Sequence, residues 1–415
     1  MFLKKIKIQN IRCISDLEID LESRASANNS LVLLGNNGVG KSTILKCIAL
    51  GLCDSGGASA LLADMYGSLI RNGEEQGIIE LSLNQGTSNY TIKTTISPSS
   101  HDPEIEEITK STSSQTKNSE SNFPWADIFV CGYGPSRILR GTQSYDQYAL
   151  ADAVYTLFNY DWKLQNPELV VRRIGWNNPK REKEVRAQLA SVLMVKPSAI
   201  KLKSDGLTLR EGHNKADINF GALADGHQST INWVVDLMGW TYLNRRKNPS
   251  GIVLLDEVEN HLHPSWQRHI MRLLADAFPR IQFIATSHSA LCAVGIADKT
   301  KRKFKVGEAH VLERTASGVE SSELSNLEGR RYDQVLESIA FETPSGGYAL
   351  EKALLEFKQA YVRPGEKETV RFKKALAALK TISPLDAEEQ IQDHLDAKLD
   401  AILRKSNKER VRRKK

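Results

Sequence analysis

The stretch Gly35-Asn36-Asn37-Gly38-Val39-Gly40-Lys41-Ser42 has the residue spacing of a phosphate-binding loop. An apolar run at 31–35 precedes it, and apolar residues spaced by four follow it over 41–52. This context predicts a buried strand, a glycine-rich turn and a helix. Such a turn directs backbone N–H groups at a phosphate, and the helix N-terminus adds its positive end. Lys41 is then expected to reach the β- and γ-phosphates of a nucleotide, and Ser42 to offer its hydroxyl to Mg²⁺.

A second motif joins an apolar strand to two carboxylates. The run at 251–255 is apolar, and Asp256 and Glu257 follow it. Beside a phosphate-binding loop, Asp256 is predicted to hold Mg²⁺, directly or through water, and Glu257 to act as the general base on the attacking water. The alternative is an acidic strand end near a helix start, where carboxylates are favoured in any case.

The rest of the chain predicts a mixed α/β sheet with additions, because buried strands alternate with helices. Further buried strands are predicted at 128–134 and 281–288, and helices at 228–244 and 264–277. Antiparallel strands are predicted at 2–8, 17–22, 77–83 and 90–96, and the serine-rich stretch 97–122 is predicted to be a flexible surface loop. The predicted domains are an N-terminal half at 1–144, a helical insert at 145–205, a second half at 206–345, a helical appendage at 346–403 and a basic tail at 404–415.

Composition and charge limit the classes of protein that fit. The chain has 415 residues, of which 40% are hydrophobic and 26% charged, as in a globular protein. The chain has 56 basic and 50 acidic side chains. Eight of the basic ones and one of the acidic ones fall in 404–415, so the rest of the chain has 48 basic and 49 acidic side chains. A neutral body weakens the case for a nucleic-acid-binding domain, although the tail could clamp nucleic acid. The five cysteines are scattered, so neither a disulfide framework nor a zinc knuckle is expected. The alternating N-terminus predicts a cytoplasmic location and no membrane partner.

Two further segments carry a resemblance to a superfamily. The segment LADGHQS at 223–229 resembles the LSGGQ signature of ABC-type ATPases, in the LSDGxxS form of RecF-like members. Ala224 replaces the usual serine, which puts part of the contact with the γ-phosphate in doubt. The matching signature residues are Leu223, Ala224, Asp225, Gly226, His227 and Gln228. His288, after the strand at 281–288, matches the histidine that contacts the γ-phosphate in that superfamily.

The N-terminus extends this resemblance. KIKIQNIRCISDLEIDL is similar to the opening strands of RecF- and SMC-type ATPases, and Arg12 matches an arginine that reaches the nucleotide phosphates there. The strand exit GYGPSR at 132–137 occupies the place of the Q-loop but has no glutamine, and Arg137 is read either as a phosphate or dimer contact or as a surface arginine. The resemblance implies ATP and Mg²⁺ as ligands, with these nucleotide-binding residues: Arg12, Asn36, Asn37, Gly38, Val39, Gly40, Lys41, Ser42 and Thr43.

A narrower resemblance begins at Asp256. The run DEVENHLHPSWQRHIMRLLADAFPRIQFIATSHSAL resembles a bacterial group that includes the OLD ATPases and the ATPase subunits of Septu, retron and related anti-phage systems. In Septu-like systems the partner is a separate HNH-type endonuclease, so the resemblance implies such a partner here. The Toprim nuclease of OLD proteins needs a DxD motif, which 300–415 lacks, and no HNH-like cluster is visible. We therefore expect no nuclease site of its own, and we read His261, His263 and His269 as structural rather than as metal ligands.

These observations predict an α/β fold: an ABC-type P-loop ATPase head, made of a mixed sheet with flanking helices and an antiparallel β lobe, with a helical insert and a C-terminal helical appendage. In the superfamily the signature faces a second protomer, so an ATP-dependent homodimer, or a higher oligomer, is expected. Catalysis is assigned to Glu257, His288 and Lys41, and metal binding to Ser42 and Asp256. The leading hypothesis is a sensor and regulatory ATPase of an anti-phage system. The alternatives are a RecF-like DNA-repair ATPase that binds DNA directly, an ABC transporter ATPase and a self-contained nuclease.

Overall fold

The structure is a computed structural model. It describes residues 1–21, 30–65, 67–101, 105–114, 123–137, 141–142, 145–175, 178–203, 206–210, 217–223, 225–243, 250–301, 305–315, 317–324, 327, 352–353, 356–357, 360 and 370–382. The chain divides into a larger unit, Met1–Val335 with Ile339–Phe341, and a smaller one, Leu336–Ser338 with Glu342–Lys415. The larger unit carries every motif named above.

The strands described in the larger unit are β1 (Phe2–Ile11), β2 (Ile14–Asp20), β3 (Ser30–Leu34), β4 (Gly77–Gln85), β5 (Ser88–Pro98), β6 (Glu106–Ser114), β7 (Val130–Tyr133), β8 (Ile200–Lys203), β9 (Gly206–Leu209), β10 (Ile218–Asn219), β11 (Gly251–Leu255), β12 (Ile281–Ser287), β13 (Gly307–Thr315) and β14 (Gly318–Glu323). Its helices are α1 (Lys41–Leu52), α2 (Ser55–Ala63), α3 (Leu150–Val154), α4 (Pro167–Gly175), α5 (Pro179–Val192), α6 (Asp225–Leu243), α7 (Pro264–Gln267), α8 (Ile270–Ala277) and α9 (Ala290–Ile296). The smaller unit contributes α10 (Val370–Ile382).

A six-stranded mixed sheet carries the site. Its strand order is β14-β13-β3-β12-β11-β7, and every pair is parallel except β13 with β14. The central strands are apolar and fully buried because both faces of the sheet are covered. The carboxyl ends of β3, β7, β11 and β12 therefore meet at one edge, where ligands bind in open α/β sheets.

A five-stranded antiparallel lobe, in the order β2-β1-β4-β5-β6, packs beside the mixed sheet. Its strands alternate between buried and exposed side chains, as a sheet with one covered face requires. Helix α1 contacts β4 and β5 of this lobe and also β7, β11 and β12 of the mixed sheet. The helix that begins with Lys41 is thus fixed between two sheets.

The predicted fold class is confirmed, since the chain forms the mixed sheet with flanking helices and the antiparallel lobe. One predicted segment is wrong: part of the expected loop at 97–122 forms β6, which pairs with β5. Ile108 faces Ile96 in that pairing, and the other side chains are polar and half-exposed, which is how sheets protect an edge strand. The helix predicted at 264–277 is two helices, α7 and α8, and β8–β10 form a small sheet that was not predicted.

The smaller unit has a core of its own. Phe357, Phe372 and Leu379 are buried in it, and the two phenylalanine rings lie 5.1 Å apart. Most of the predicted appendage and all of the basic tail lie outside the described residues. No helix among the described residues has the length and apolar character to span a membrane.

Candidate nucleotide site

The phosphate-binding loop lies between β3 and α1, as the sequence predicts. Gly35, Gly38 and Gly40 have φ values of 144°, 78° and 107°, a region that residues with a Cβ rarely adopt. At Gly35 a Cβ would also lie 2.6 Å from the carbonyl oxygen of Leu312 on β13. The glycines are therefore required by the backbone path and, at Gly35, by a close approach of another strand.

Lys41 is the first residue of α1, and its side chain folds back over the loop. Its Nζ donates hydrogen bonds to the carbonyl oxygens of Gly35, at 2.7 Å, and Asn36, at 3.0 Å, and lies 3.5 Å from Nδ1 of His288. Burial lowers the pKa of Lys41, and Asp256 partly opposes that shift. The structure thus brings together the predicted phosphate-binding lysine and the predicted γ-phosphate histidine, which is exposed.

Asp256 and Glu257 follow β11, and Thr286 of β12 links them. The Thr286 hydroxyl donates to Oδ1 of Asp256, at 2.6 Å, and accepts a hydrogen bond from the backbone N–H of Glu257, at 2.7 Å. Thr286 is fully buried and Asp256 is 2% exposed. Parallel pairing of β11 with β12 places the hydroxyl between the two residues, so the neighbouring strand fixes the carboxylate of Asp256 and the backbone of Glu257.

Glu257 has a left-handed backbone, with φ of 49°, which is unusual for a residue with a long side chain. Its carboxylate Oε2 accepts a hydrogen bond from Nδ2 of Asn260, at 2.6 Å. Two residues further on from Glu257, Glu259 accepts a hydrogen bond from the backbone N–H of His288. The turn after β11 therefore orients both the predicted base and the predicted switch histidine.

The structure contradicts one of the two interpretations of Arg137 that the sequence left open. It is 2% exposed, so it is not a surface arginine. Its guanidinium donates to the carbonyl oxygens of Gly134, at 3.1 Å, Asp256, at 2.6 Å, and Glu257. Burial lowers the pKa of Arg137 to about 10, against the opposing effect of the nearby carboxylates, of which Glu259 has the largest. Its Nη2 is directed at the turn that carries Asp256 and Glu257.

The signature segment opens α6, which begins at Asp225 rather than at 228. A Cβ on Gly226 would lie 2.4 Å from the carbonyl oxygen of His261, so glycine is needed where the helix meets the turn after β11. The ring of His227 packs edge-on against Trp266, at 4.8 Å, and Gln228 donates to the Leu223 carbonyl oxygen, at 2.7 Å. Ala224 lies outside the described residues.

Arg12 lies in the turn between β1 and β2, which touches the phosphate-binding loop. Its neighbour Cys13 has its Sγ 3.6 Å from the Val39 carbonyl oxygen and 3.0 Å from where a Cβ on Gly40 would lie. Nε of Arg12 donates to the Ser68 carbonyl oxygen, at 3.3 Å. The structure places the predicted arginine at the border of the loop.

Lys46 and Tyr160 were missed by the sequence analysis. Nζ of Lys46, on α1, lies 5.3 Å from the Tyr160 ring, and Tyr160 is 43% exposed. Burial lowers the pKa of Lys46, and the charge of Arg12 lowers it further. Burial raises the pKa of Tyr160, and the charges of Asp256 and Glu257 add to that effect. No sequence motif surrounds Tyr160, so only the tertiary structure shows that it lies near Asp256 and Glu257.

The residues present fit a nucleotide-bound Mg²⁺. No group of three or more His, Cys, Asp or Glu in the described part of the chain is placed to hold a metal ion. Mg²⁺ needs no such cage, because one or two protein oxygens, phosphates and water complete its six ligands. Asp256 supplies a carboxylate, and Ser42, half-buried directly after Lys41, supplies a hydroxyl. Among the histidines read as structural, His263 caps α7 by accepting from the Ser265 N–H, at 3.3 Å.

Comparison with known proteins matches this arrangement. Residues 5–130 match a family model described as "AAA domain", and residues 149–293 match one described as "AAA domain, putative AbiEii toxin, Type IV TA system". The structure superposes on an SMC head bound to the C-terminal winged-helix domain of ScpA, with a TM-score of 0.51, 12% identity and coverage of 78% of this chain and 98% of that one. The chain thus resembles AAA-family P-loop ATPases of the ABC type, and its fold is that of an SMC head.

Its relatives in sequence include a Septu protein and a retron ATPase. The chain is 30% identical to the Septu protein PtuA of Bacillus mycoides (strain KBAB4) over 304 residues, which cover 72% of this chain and 39% of that protein. It is 38% identical over 97 residues to the "Retron Ec83 probable ATPase" of Escherichia coli, covering 22% of this chain and 18% of that protein. The chain therefore matches well under half the length of these relatives.

Proposed function

We propose that the chain binds and hydrolyses ATP with Mg²⁺, closes as an ATP-dependent homodimer, and regulates a separate effector in an anti-phage defence system. The observation that carries this proposal is the convergence of Lys41, Asp256, Glu257 and His288 at one sheet edge in a chain similar to Septu protein PtuA. The effector we propose is an HNH-type nuclease, as the resemblance to Septu-like systems implies. Cytoplasmic location is part of the same proposal.

The geometry supports a specific role for each residue. Lys41 exchanges the two loop carbonyls for β- and γ-phosphate oxygens, because the phosphates offer a stronger charge-assisted bond. His288, 3.5 Å from Lys41, then contacts the same γ-phosphate. Glu257 takes a proton from the attacking water, whose oxygen bonds to the γ-phosphorus as the bond to the β-γ bridging oxygen breaks. Bound Mg²⁺ would neutralise charge on the phosphates, held by Ser42 and Asp256.

Closure of the dimer follows from the position of the signature. The backbone N–H groups at the start of α6 form a helix N-terminus, which favours an anion. In the proposed dimer each protomer offers this terminus to the γ-phosphate bound by its partner. Hydrolysis and phosphate release remove that anion, so the nucleotide state is converted into a change of geometry that an effector can sense.

The experiment uses Glu257→Gln, which should bind ATP, lose about 10²- to 10⁴-fold in hydrolysis rate, and accumulate the closed dimer. The protein is purified from its own host with Mg²⁺ and ATP, and native mass spectrometry identifies its partners. Lys41→Ala should abolish ATP-dependent closure, while Glu313→Gln and Lys163→Ala, at exposed positions, serve as controls.

Each outcome decides a part of the proposal. A stoichiometric nuclease bound to the Glu257→Gln dimer would support the defence function and identify the effector. A bare ATP-bound dimer carrying DNA, with no protein partner, would replace it by the DNA-repair alternative. Closure that survives Lys41→Ala would contradict the ATP-sandwich dimer, and a normal rate in Glu257→Gln would show that Glu257 is not the base.

A further inference from the structure

Both backbone polar groups of Asp256 have partners at the exit of β7. The N–H of Asp256 donates to the carbonyl oxygen of Tyr133, at 2.8 Å, where β7 ends. The carbonyl oxygen of Asp256 accepts from Nη2 of Arg137, at 2.6 Å, and the same nitrogen donates to the carbonyl oxygen of Glu257. Arg137 is anchored in turn by its Nε bond to Gly134.

The burial of Arg137 makes its hydrogen bonds necessary. A guanidinium that is 2% exposed must satisfy its donors within the protein, because an unpaired buried charge is costly. Both carbonyls that Nη2 meets belong to the turn in which Glu257 has φ of 49°. That backbone conformation is intrinsically unfavourable, so surrounding contacts must hold it. Arg137 provides such a contact at the residue assigned as the general base.

Tyr133 and Arg137, which bond the backbone of Asp256, also contact the signature helix α6. The ring of Trp233, on α6, lies 6.0 Å from Cζ of Arg137 and 5.7 Å from the Tyr133 ring. One turn later, Asp236 accepts a hydrogen bond from the Tyr133 hydroxyl, at 2.8 Å. Trp233 and Asp236 are spaced by three, so they share one face of α6. A continuous set of contacts thus runs from the helix that begins with the signature to the turn that carries the base.

We propose that Arg137 is a positioning residue that fixes the Asp256–Glu257 turn and links it to α6, so that engagement of the signature is transmitted to the general base. The catalytic consequence rests on the proposed ATPase function, whereas the positioning itself is a property of the ligand-free protein. A lysine cannot replace Arg137, because its single ammonium lacks the planar fork of donors that bonds Gly134 and the turn at the same time.

The first test measures hydrogen exchange in ligand-free protein and needs no ATPase activity. Arg137→Met should speed exchange of the amides of 256–258 by roughly 10- to 100-fold, the range expected when bonds from a charged donor are lost. Arg137→Lys should restore only part of the protection. The control Arg181→Met removes an exposed arginine that also lies over an aromatic ring, that of Tyr242 at 5.6 Å, and should leave 256–258 unchanged.

The link to α6 is tested by a pair of tryptophans that each lie beside a basic side chain, Trp233 on α6 and Trp125 outside it. Trp233→Phe weakens the contact with Arg137, so exchange at 256–258 should rise by about threefold or more, in line with a buried cation–π contact. Trp125→Phe, the control, changes a tryptophan whose ring lies 5.4 Å from Nζ of Lys110 on β6. Equal effects of the two variants, or none from Trp233→Phe, would refute the link.

Kinetics complete the test. Arg137→Lys should bind a fluorescent ATP analogue with a Kd within about threefold of the wild-type value. Its kcat should fall about 100-fold, since small misplacement of a catalytic group has that effect. Loss of binding and folding together would mean a merely structural role and would overturn the proposal. If wild-type protein hydrolyses no ATP, the proposed function fails, and the exchange data still decide whether Arg137 positions the turn.

Discussion

Replacing Thr286 by valine removes one hydroxyl that bonds both Asp256, the predicted metal ligand, and Glu257, the predicted base. The change keeps the size and β-branching of the side chain, which suits the interior of β12. It leaves the N–H of Glu257 without its acceptor at 2.7 Å and Oδ1 of Asp256 without its donor at 2.6 Å. Both groups stay buried around residue 286, which is fully inaccessible to solvent, so water cannot replace the hydroxyl.

The expected cost follows from these two bonds. A buried N–H left unsatisfied costs about 1–3 kcal/mol, and a hydrogen bond to a charged group contributes about 1.5–3 kcal/mol. The two terms share one hydroxyl and are not additive, so we expect a loss of about 2–4 kcal/mol in the free energy of unfolding. Thr286→Ser retains the hydroxyl and removes one methyl group, which costs about 1 kcal/mol in a packed core.

Urea unfolding followed by tryptophan fluorescence measures this loss in the larger unit alone, because all six tryptophans lie within it. The control is Thr241→Val, a buried threonine whose hydroxyl donates only to the Met238 carbonyl oxygen within α6, at 2.8 Å. Thr241→Val should lower the free energy of unfolding by less than about 1 kcal/mol. If Thr286→Val costs no more than Thr241→Val, or if Thr286→Ser is as damaging as valine, the bridging role of the hydroxyl is refuted.

Two further changes test other contacts. Gly226→Ala should disturb the start of α6, because the new Cβ would lie 2.4 Å from the His261 carbonyl oxygen. The melting temperature should therefore drop clearly. The control Gly56→Ala, whose Cβ would have no atom closer than 3.9 Å, should show no such drop. Burial lowers the pKa of Lys110 to about 8, so the unfolded chain binds more protons than the folded one between about pH 8 and the ordinary lysine pKa of 10.5. The free energy of unfolding of wild type relative to Lys110→Met should therefore rise with pH across that window. The absence of a rise, or an equal rise of wild type relative to Lys93→Met at an exposed position, would contradict the lowered pKa.

Local patterns predicted the parts of the site that lie in one short segment. The phosphate-binding loop, the carboxylates after β11 and the histidine after β12 were each predicted at a strand end, and the structure places them there. They could be predicted because each motif combines a strand period of apolar residues with an adjacent polar or glycine-rich turn. Strand β6 was missed because its mostly polar residues gain their order from pairing with β5, a partner that no local pattern reveals.

Local patterns in the chain predict the fold class, the glycine-rich loop and the acidic residues after β11, since their chemistry and spacing are local. Tertiary structure decided how those residues are held. Only the pairing of β11 with β12 brings Thr286 to the Asp256–Glu257 turn, and only the exit of β7 buries Arg137 against its carbonyls. These contacts join residues 30 and 119 positions apart, and such distances in the chain are closed by the packing of whole elements rather than by local preference.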